Sequence, residues 1–425
     1  MRILYVTHYF PPEMGAPAGR VAGLSRLWAA AGHDVHVLTG FPHHPTGRIP
    51  AEYRQAFRRG FLRENFHGVT VHRTWIYPAA NRGKIRRSLN YGSFLLSASV
   101  VGSLRLPCPD VIVATSPQLL CAVAGAVLAR RFNAPLVMEV RDLWPESLVA
   151  VGASQKASPL VRGLEALAHG LYSRAAHIVT VTGAQREAIV NGGLPGDRVS
   201  VIPNGVDREF FDAGGAPPKG SGPFIVTYIG TLGMAHRLET LLDAAAEFRG
   251  DSSVCFRIVG EGARRGALES YARQNRLDNV DFIGERPRGE VPRWIAESDV
   301  CAVLLRKNEV FRTVVPSKML EIMAVGRPLL LGVDGEAKRL LDRARAGIAI
   351  EPENVSQLVA AIRELQRDAA RSRALGQNGR EFVSHEFLRE RLALEYSEIL
   401  QRLVLSRTRL NTVESRKQIN SVPES

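Results

Sequence analysis

Cysteine is scarce in this chain, with four in 425 residues. Cys108, Cys121, Cys255 and Cys301 are scattered and form no C-x-x-C pair, so neither a zinc or redox spacing nor a disulfide framework is supported. No G-x-x-x-x-G-K-[ST] loop occurs, and no G-x-G-x-x-G turn, so ATPase and hydride chemistry lose support. The opening MRILYVTHYF reads as a strand behind one arginine. It lacks the apolar run and small-residue cleavage site of a secretory signal, so a cytoplasmic location is expected. Long apolar runs are also few. The one that stands out is Leu89–Leu106, with Arg82, Lys84, Arg86 and Arg87 ahead of it. Four serines, Asn90 and Arg105 weaken its reading as a membrane span. A helix in the membrane interface and a buried helix of the first sheet both stay open.

The sequence is rich in basic charge and in α/β alternation. Net charge is +13 and apolar content 45%, so the chain has the means to bury real cores, and its length suits two domains. Residues 1–205 hold 22 basic and 11 acidic side chains, against 33 and 31 in residues 206–425. A basic half beside a nearly neutral one implies a face that meets polyanions, unless it is simply a solvated surface.

Short β-branched runs alternate with helical stretches throughout. Strands are expected at Ile3–Thr7, Val35–Thr39, Val69–Thr74, Val111–Thr115, Leu136–Val140 and Ile178–Val181. The glycine- and proline-rich stretch Asp212–Pro223 reads as a linker. The pattern then restarts at Ile225–Ile229, Cys255–Val259, Val280–Ile283, Val300–Leu304 and Leu329–Val333. Such alternation specifies parallel sheets covered by helices, here two doubly wound Rossmann-like α/β domains in series with ligands expected in the cleft between them. The expected division is 1–205, 206–382 and a tail at 406–425 read as disordered, with a helix at about 383–405 packing back on the first domain.

Several stretches carry chemistry. Pro11–Gly19 follows the first strand, and Gly15 with Ala16 opens a helix whose amides can approach an anion. Glu139, Arg141, Asp142 and Glu146 cluster at the end of a buried strand. Charges there need a cleft or a partner. The reading favours a carboxylate that holds a sugar hydroxyl over an internal ion pair. In Val315–Pro328, Pro316 and Ser317 start a helix, Lys318 adds a full charge to its first turn, and Glu321 lies three residues on. A diphosphate on Lys318 and a ribose on Glu321 would suit that arrangement. Gly230–Arg237 is a glycine-bearing turn after a strand, with Gly233 inside it.

Taken in order, these residues resemble family-4 retaining glycosyltransferases over nearly the whole chain. Ile202–Asp207 with Phe211 is similar to that family's I-P-N-G-V-D…F hinge, and Val259–Gly262 to its V-G-x-G strand end. Asn279–Gly284 and Glu297–Val300 match two further elements. Within the family the chain resembles bacterial transferases of cell-surface polysaccharide assembly, including those that add N-acetyl-L-fucosamine. The shared features are the Pro11–Ala18 opening, Gly40–Pro45, Arg141–Glu146 and Pro316–Lys318. The resemblance implies a GT-B fold with the acceptor on the first domain and a UDP-sugar on the second. It also implies retention of configuration.

Departures from the pattern are specific. The family's E-x7-E motif ends at Glu321 but has Thr313 in its first place. Its Arg…Lys phosphate pair is replaced by His236 and Arg237, and a first-domain histidine by Arg141. Asp142, Lys318 and Glu321 are therefore the expected catalytic residues. Gly15, Ala16, Gly230, Gly233, Arg237, Gly260, Gly262, Ser317, Lys318 and Glu321 are the expected donor contacts. No D-x-D pair occurs, so no metal or other cofactor is expected beyond the UDP-sugar co-substrate. Expected partners are that donor, a lipid-linked saccharide acceptor and the anionic inner face of the cell membrane. A non-hydrolysing UDP-sugar 2-epimerase stays open as an alternative. So does a nucleic-acid-binding protein, although no recognised nucleic-acid module is visible.

Overall fold

The computed structural model describes residues 1–13, 15–80, 84–143, 159–214 and 222–419. The chain forms two compact units, Met1–Pro203 with Glu390–Ser425, and Asn204–Arg389.

The first unit is an eight-stranded sheet in the order β3-β4-β2-β1-β5-β6-β7-β8. Its strands are β1 (Arg2–Val6), β2 (Asp34–Gly40), β3 (Phe61–Phe66), β4 (Val69–Thr74), β5 (Val111–Ser116), β6 (Leu136–Val140), β7 (His177–Thr180) and β8 (Val199–Val201). All neighbours are parallel except β3 and β4. The parallel strands read as continuous apolar runs because helices cover both faces. One apolar core lies on each face, centred on Phe94 and Met138 on one side and on Tyr5 and Trp28 on the other. The second core is completed by the chain's final helix, Arg389–Ile419, through Leu392, Tyr396, Ile399 and Leu400. Trp28 fixes that helix further by donating its indole N–H to the Ala393 carbonyl at 2.9 Å.

The second unit is a six-stranded parallel sheet, β11-β10-β9-β12-β13-β14. Its strands are β9 (Phe224–Ile229), β10 (Val254–Val259), β11 (Val280–Gly284), β12 (Val300–Leu304), β13 (Leu329–Gly332) and β14 (Gly347–Ala349). Strand order reverses direction at β1/β5 in the first unit and at β9/β12 in the second. Crevices for ligands open at such switch points, at the carboxyl ends of the strands.

Every expected strand is present, and three more were not foreseen. Strand β3 pairs antiparallel with β4 through a tight turn, with His67 at φ 49° and Gly68 at φ 85°. Strands β8 and β14 are three residues long, too short to carry a period. Two expectations are corrected. The Gly/Pro-rich stretch lies inside the second unit, not between units, because Val206 and Phe210 upstream of it are buried in that unit's core. Residues 215–221 of it fall outside the described residues. The tail read as disordered is helical as far as Ile419, and no Gly or Pro between Ser406 and Ile419 interrupts it.

The apolar run is the helix Lys84–Arg105, with one face on the sheet through buried Asn90, Phe94 and Ala98. Among the described residues no helix is long and apolar enough to cross a membrane. Its other face is unusual. Ile85, Leu89, Leu96, Val100 and Leu104 are all exposed, and at 100° per residue they form one stripe.

Candidate active site

At the β9/β12 switch point of the second unit, the helix Ser317–Val325 points its first turn at the carboxyl end of β9. Pro316 is the N-cap residue with extended backbone (φ −62°, ψ 124°), and Ser317 is the first helical residue. The Ser317 and Lys318 N–H groups thus lack intrahelical acceptors, whereas Met319 N–H donates to the Pro316 carbonyl at 3.0 Å. Lys318 reaches back from this turn. Its Nζ lies 4.1 Å from the centre of the Tyr228 ring and donates to the Tyr228 hydroxyl at 2.9 Å. Among the described residues no carboxylate lies within ion-pair distance of it. Burial pushes its ammonium down to about 7, with the charge of Glu321 acting the other way. His236 stands edge-on to the same tyrosine, 5.9 Å between ring centres. Burial, followed by the charge of Lys318, lowers its imidazole to about 4.

The glycines of this site are there for backbone approach. A Cβ at Gly230 (φ 135°) would lie 2.6 Å from the Lys318 ammonium nitrogen. One at Gly260 (φ 143°) would meet the Gly230 carbonyl oxygen at 1.9 Å, and one at Gly262 the Leu232 carbonyl oxygen at 2.4 Å. The two loops are stitched by Gly230 N–H to the Val259 carbonyl at 2.9 Å and Leu232 N–H to the Glu261 carbonyl at 2.8 Å. Gly260 and Gly262, read from sequence as donor contacts, therefore have a packing role that accounts for them.

Glu321 stands one turn on from Lys318, only 13% exposed, and accepts from Arg288 Nη2 at 2.8 Å. Arg237 has a carboxylate partner of its own. Its guanidinium faces Glu353 at 3.5 Å, and with Gly233, Glu239, Arg264 and Arg306 it lines a separate cavity of about 190 Å³. The structure thus brings Gly230 against the helix start that carries Ser317, Lys318 and Glu321, and places Gly233 and Arg237 in the lining of the neighbouring cavity. Tyr228 and Arg288 escaped the sequence reading, since a tyrosine inside an apolar strand and one arginine among many carry no local signal.

In the first unit, Gly15 (φ 123°, ψ 162°) is the N-cap of the helix Ala16–Ala30 and follows the carboxyl end of β1. Such a φ suits glycine alone, so the turn itself requires it. Asp142 lies just past β6, with its carboxyl raised by burial and lowered in part by the charge of Arg141. Arg141 donates from Nε to the Ser116 carbonyl at 3.0 Å. Glu146 lies outside the described residues.

Glu139 corrects the reading of that cluster as a set of cleft carboxylates. It is fully buried, accepting from Tyr5 Oη at 2.8 Å and Arg20 Nε at 3.0 Å. Arg20 also donates to the Pro203 and Ile202 carbonyls at 2.6 and 2.9 Å, so the pair ties β6 to the end of the unit. Nearby, Asn90 bridges His8 and His43 at 2.9 Å each, and Glu13 accepts from the His43 and His44 amides at 3.0 and 2.9 Å. Burial lowers the His8 imidazole to about 3, so it is neutral at ordinary pH.

Comparison with known proteins agrees with this geometry. Residues 15–205 match the Glycosyl transferase 4-like domain and residues 213–382 match Glycosyl transferases group 1. WcaI of Escherichia coli (strain K12), a glycosyl transferase ascribed to colanic acid biosynthesis, is 28% identical over 86% of this chain and 92% of its own. WbjE of Pseudomonas aeruginosa, named as a glycosyltransferase, is 25% identical over 68% and 74%. Among solved structures, sucrose-phosphate synthase from Thermosynechococcus elongatus superposes with a TM-score of 0.76 at 21% identity, over 95% of this chain and 99% of that one. HepE of Anabaena, solved with UDP-glucose, gives 0.68 at 17% identity over 95% and 100%. These structural neighbours share the GT-B fold of two Rossmann-like domains. The family matches decide against the epimerase and nucleic-acid alternatives. With its two regions accounting for most of its length, the chain is a glycosyltransferase, a 4-like domain followed by a group 1 domain.

Proposed function

We propose that this glycosyltransferase moves a hexosyl residue, such as an N-acetylated deoxyhexosamine, from a UDP-sugar to a lipid-linked saccharide. The transfer occurs at the inner face of the cell membrane during cell-surface polysaccharide assembly, with retention of configuration. The observation that carries the donor half is Lys318, a buried ammonium at a helix N-terminus beside a glycine turn with a neutral tyrosine as its hydrogen-bond partner. An anion is the partner that such a group lacks.

As the glycosidic bond breaks, negative charge grows on the leaving diphosphate. The Lys318 ammonium and the backbone amides of Ser317 and Lys318 stabilise that charge without having to reorganise. Glu321 accepts hydrogen bonds from the ribose hydroxyls. Asp142, with a carboxyl raised by burial, faces the acceptor and serves as its catalytic carboxylate. The relatives support the setting, WcaI through its ascription to colanic acid and HepE through its bound UDP-glucose.

The acceptor half rests on the helix Lys84–Arg105. Its exposed apolar stripe, with exposed Arg86 at its start, suits an anionic bilayer in which the helix lies in the interface plane. Radiolabelled UDP-sugars incubated with the enzyme and a lipid extract test the whole reading. Label is expected in the organic phase together with stoichiometric UDP. Label that stays aqueous, bound to a soluble saccharide, would remove the lipid-linked acceptor.

A further inference from the structure

Arg288 has no part in the reading above, yet it is the middle of an ionic chain that ends on Glu321. Its guanidinium carbon lies 4.8 Å above the centre of the Phe210 ring, and Phe210 is fully buried, so the platform is fixed. Arg288 Nη2 sits 2.8 Å from Glu321 and 4.0 Å from Asp207. Asp207 is in turn held by Arg389, whose Nε and Nη2 donate to its two oxygens at 2.7 and 3.2 Å. Arg389 is buried, and its segment is zipped to that of Asp207 through Arg389 N–H to the Val206 carbonyl and Val206 N–H to the Phe387 carbonyl. Every member behind Arg288 is therefore immobilised by core or backbone.

Glu321 needs such a restraint. It stands one turn from Lys318, and a glutamate side chain free to rotate is drawn to the nearest cation. That encounter would take Glu321 away from a sugar, while a bound diphosphate keeps its own hold on Lys318. One Arg288 nitrogen occupies one lone-pair site on one oxygen. A carboxylate offers about four such sites, so two hydroxyls can still be accepted.

We propose that Arg288 is the positioning residue that holds Glu321 toward the ribose and away from Lys318, and that it thereby sets the enzyme's preference for ribonucleotide over deoxyribonucleotide donors. The proposal rests on the ribose role of Glu321 given above.

The experiment compares the affinity of UDP and 2′,3′-dideoxy-UDP by calorimetry in the wild type, Glu321→Ala, Arg288→Ala and Arg288→Gln. The wild type is expected to prefer UDP by about tenfold or more, because a site built to hydrogen-bond hydroxyls rejects an analogue without them. Glu321→Ala and Arg288→Ala should both lose most of that preference while binding the dideoxy compound as before. Arg288→Gln, which keeps an N–H donor, should recover part of it. Arg288→Ala that keeps the full preference while Glu321→Ala loses it overturns the proposal alone. Equal weakening of both ligands by Arg288→Ala also overturns it, since that marks general support of the pocket. A preference that survives Glu321→Ala overturns instead the ribose reading on which the proposal stands.

Discussion

Lys318 combines two properties that rarely coexist, a buried amine and a place at the positive end of a helix. Burial holds its ammonium near 7 in the empty site, whereas a bound diphosphate favours the charged form. The sign follows from linkage. Below pH 7 the lysine is already protonated, so this group adds no pH dependence to nucleotide binding. Above pH 7 binding must take up a proton, and affinity for UDP should fall by up to about tenfold per pH unit until the bound-state pKa is reached. Calorimetric titrations from pH 6 to 9 would reveal the slope. In Lys318→Ala the slope should vanish, and a slope that persists there would assign the proton to another group. The placing of Lys318 in a helix's first turn was legible because Pro316 and Ser317 fixed a helix start from local rules. Glu139 was misread for the opposite reason. Its partners Tyr5 and Arg20 lie more than a hundred residues away in sequence, and no local rule reports a contact of that separation.

At the scale of elements, the helix Lys84–Arg105 shows why periodicity alone left two readings open. The structure bears out contact with the sheet, through Phe94 and Ala98, and leaves Leu96 and Val100 facing outward. A helix apolar on opposite sides has a weak amphipathic signature, and only the fold says which side is covered. The stripe yields a prediction. Replacing Leu96 and Val100 together by Asp should cut co-sedimentation with anionic vesicles by about tenfold or more, because each side chain contributes about 1.5–3 kcal/mol when buried. The melting temperature should be unchanged, as both side chains are exposed. Undiminished sedimentation would show that the bilayer meets another surface. The glycine turns were read from sequence as ligand contacts, whereas Gly260 and Gly262 are required first by the carbonyls of Gly230 and Leu232. Sequence identifies where a backbone must come close, not whether its neighbour is ligand or protein.

At the scale of the whole molecule, the two α/β units follow from alternation of short β-branched runs with helices, a pattern dense enough to read directly, whereas the strand order comes from the structure alone. The first unit ends at Pro203, against the 205 expected from sequence. A glycine-rich stretch reads as a linker by composition, but Val206 and Phe210 had already committed the chain to the second core. The last helix returns to the first unit through Tyr396 and Leu400; it was expected at about 383–405 and begins at Arg389.

The central claim is that the second unit holds a uridine diphosphate on Lys318. Thermal unfolding of the whole protein with UDP, GDP, ADP and TDP tests it most directly. A ligand at about a hundred times its Kd adds about 2.7 kcal/mol to the stability of the form that binds it. The account predicts that UDP alone raises the melting temperature by several degrees and that Lys318→Ala abolishes the shift. If none of the four nucleotides moves the wild-type transition, or if UDP still moves it fully in Lys318→Ala, the donor site described here is contradicted.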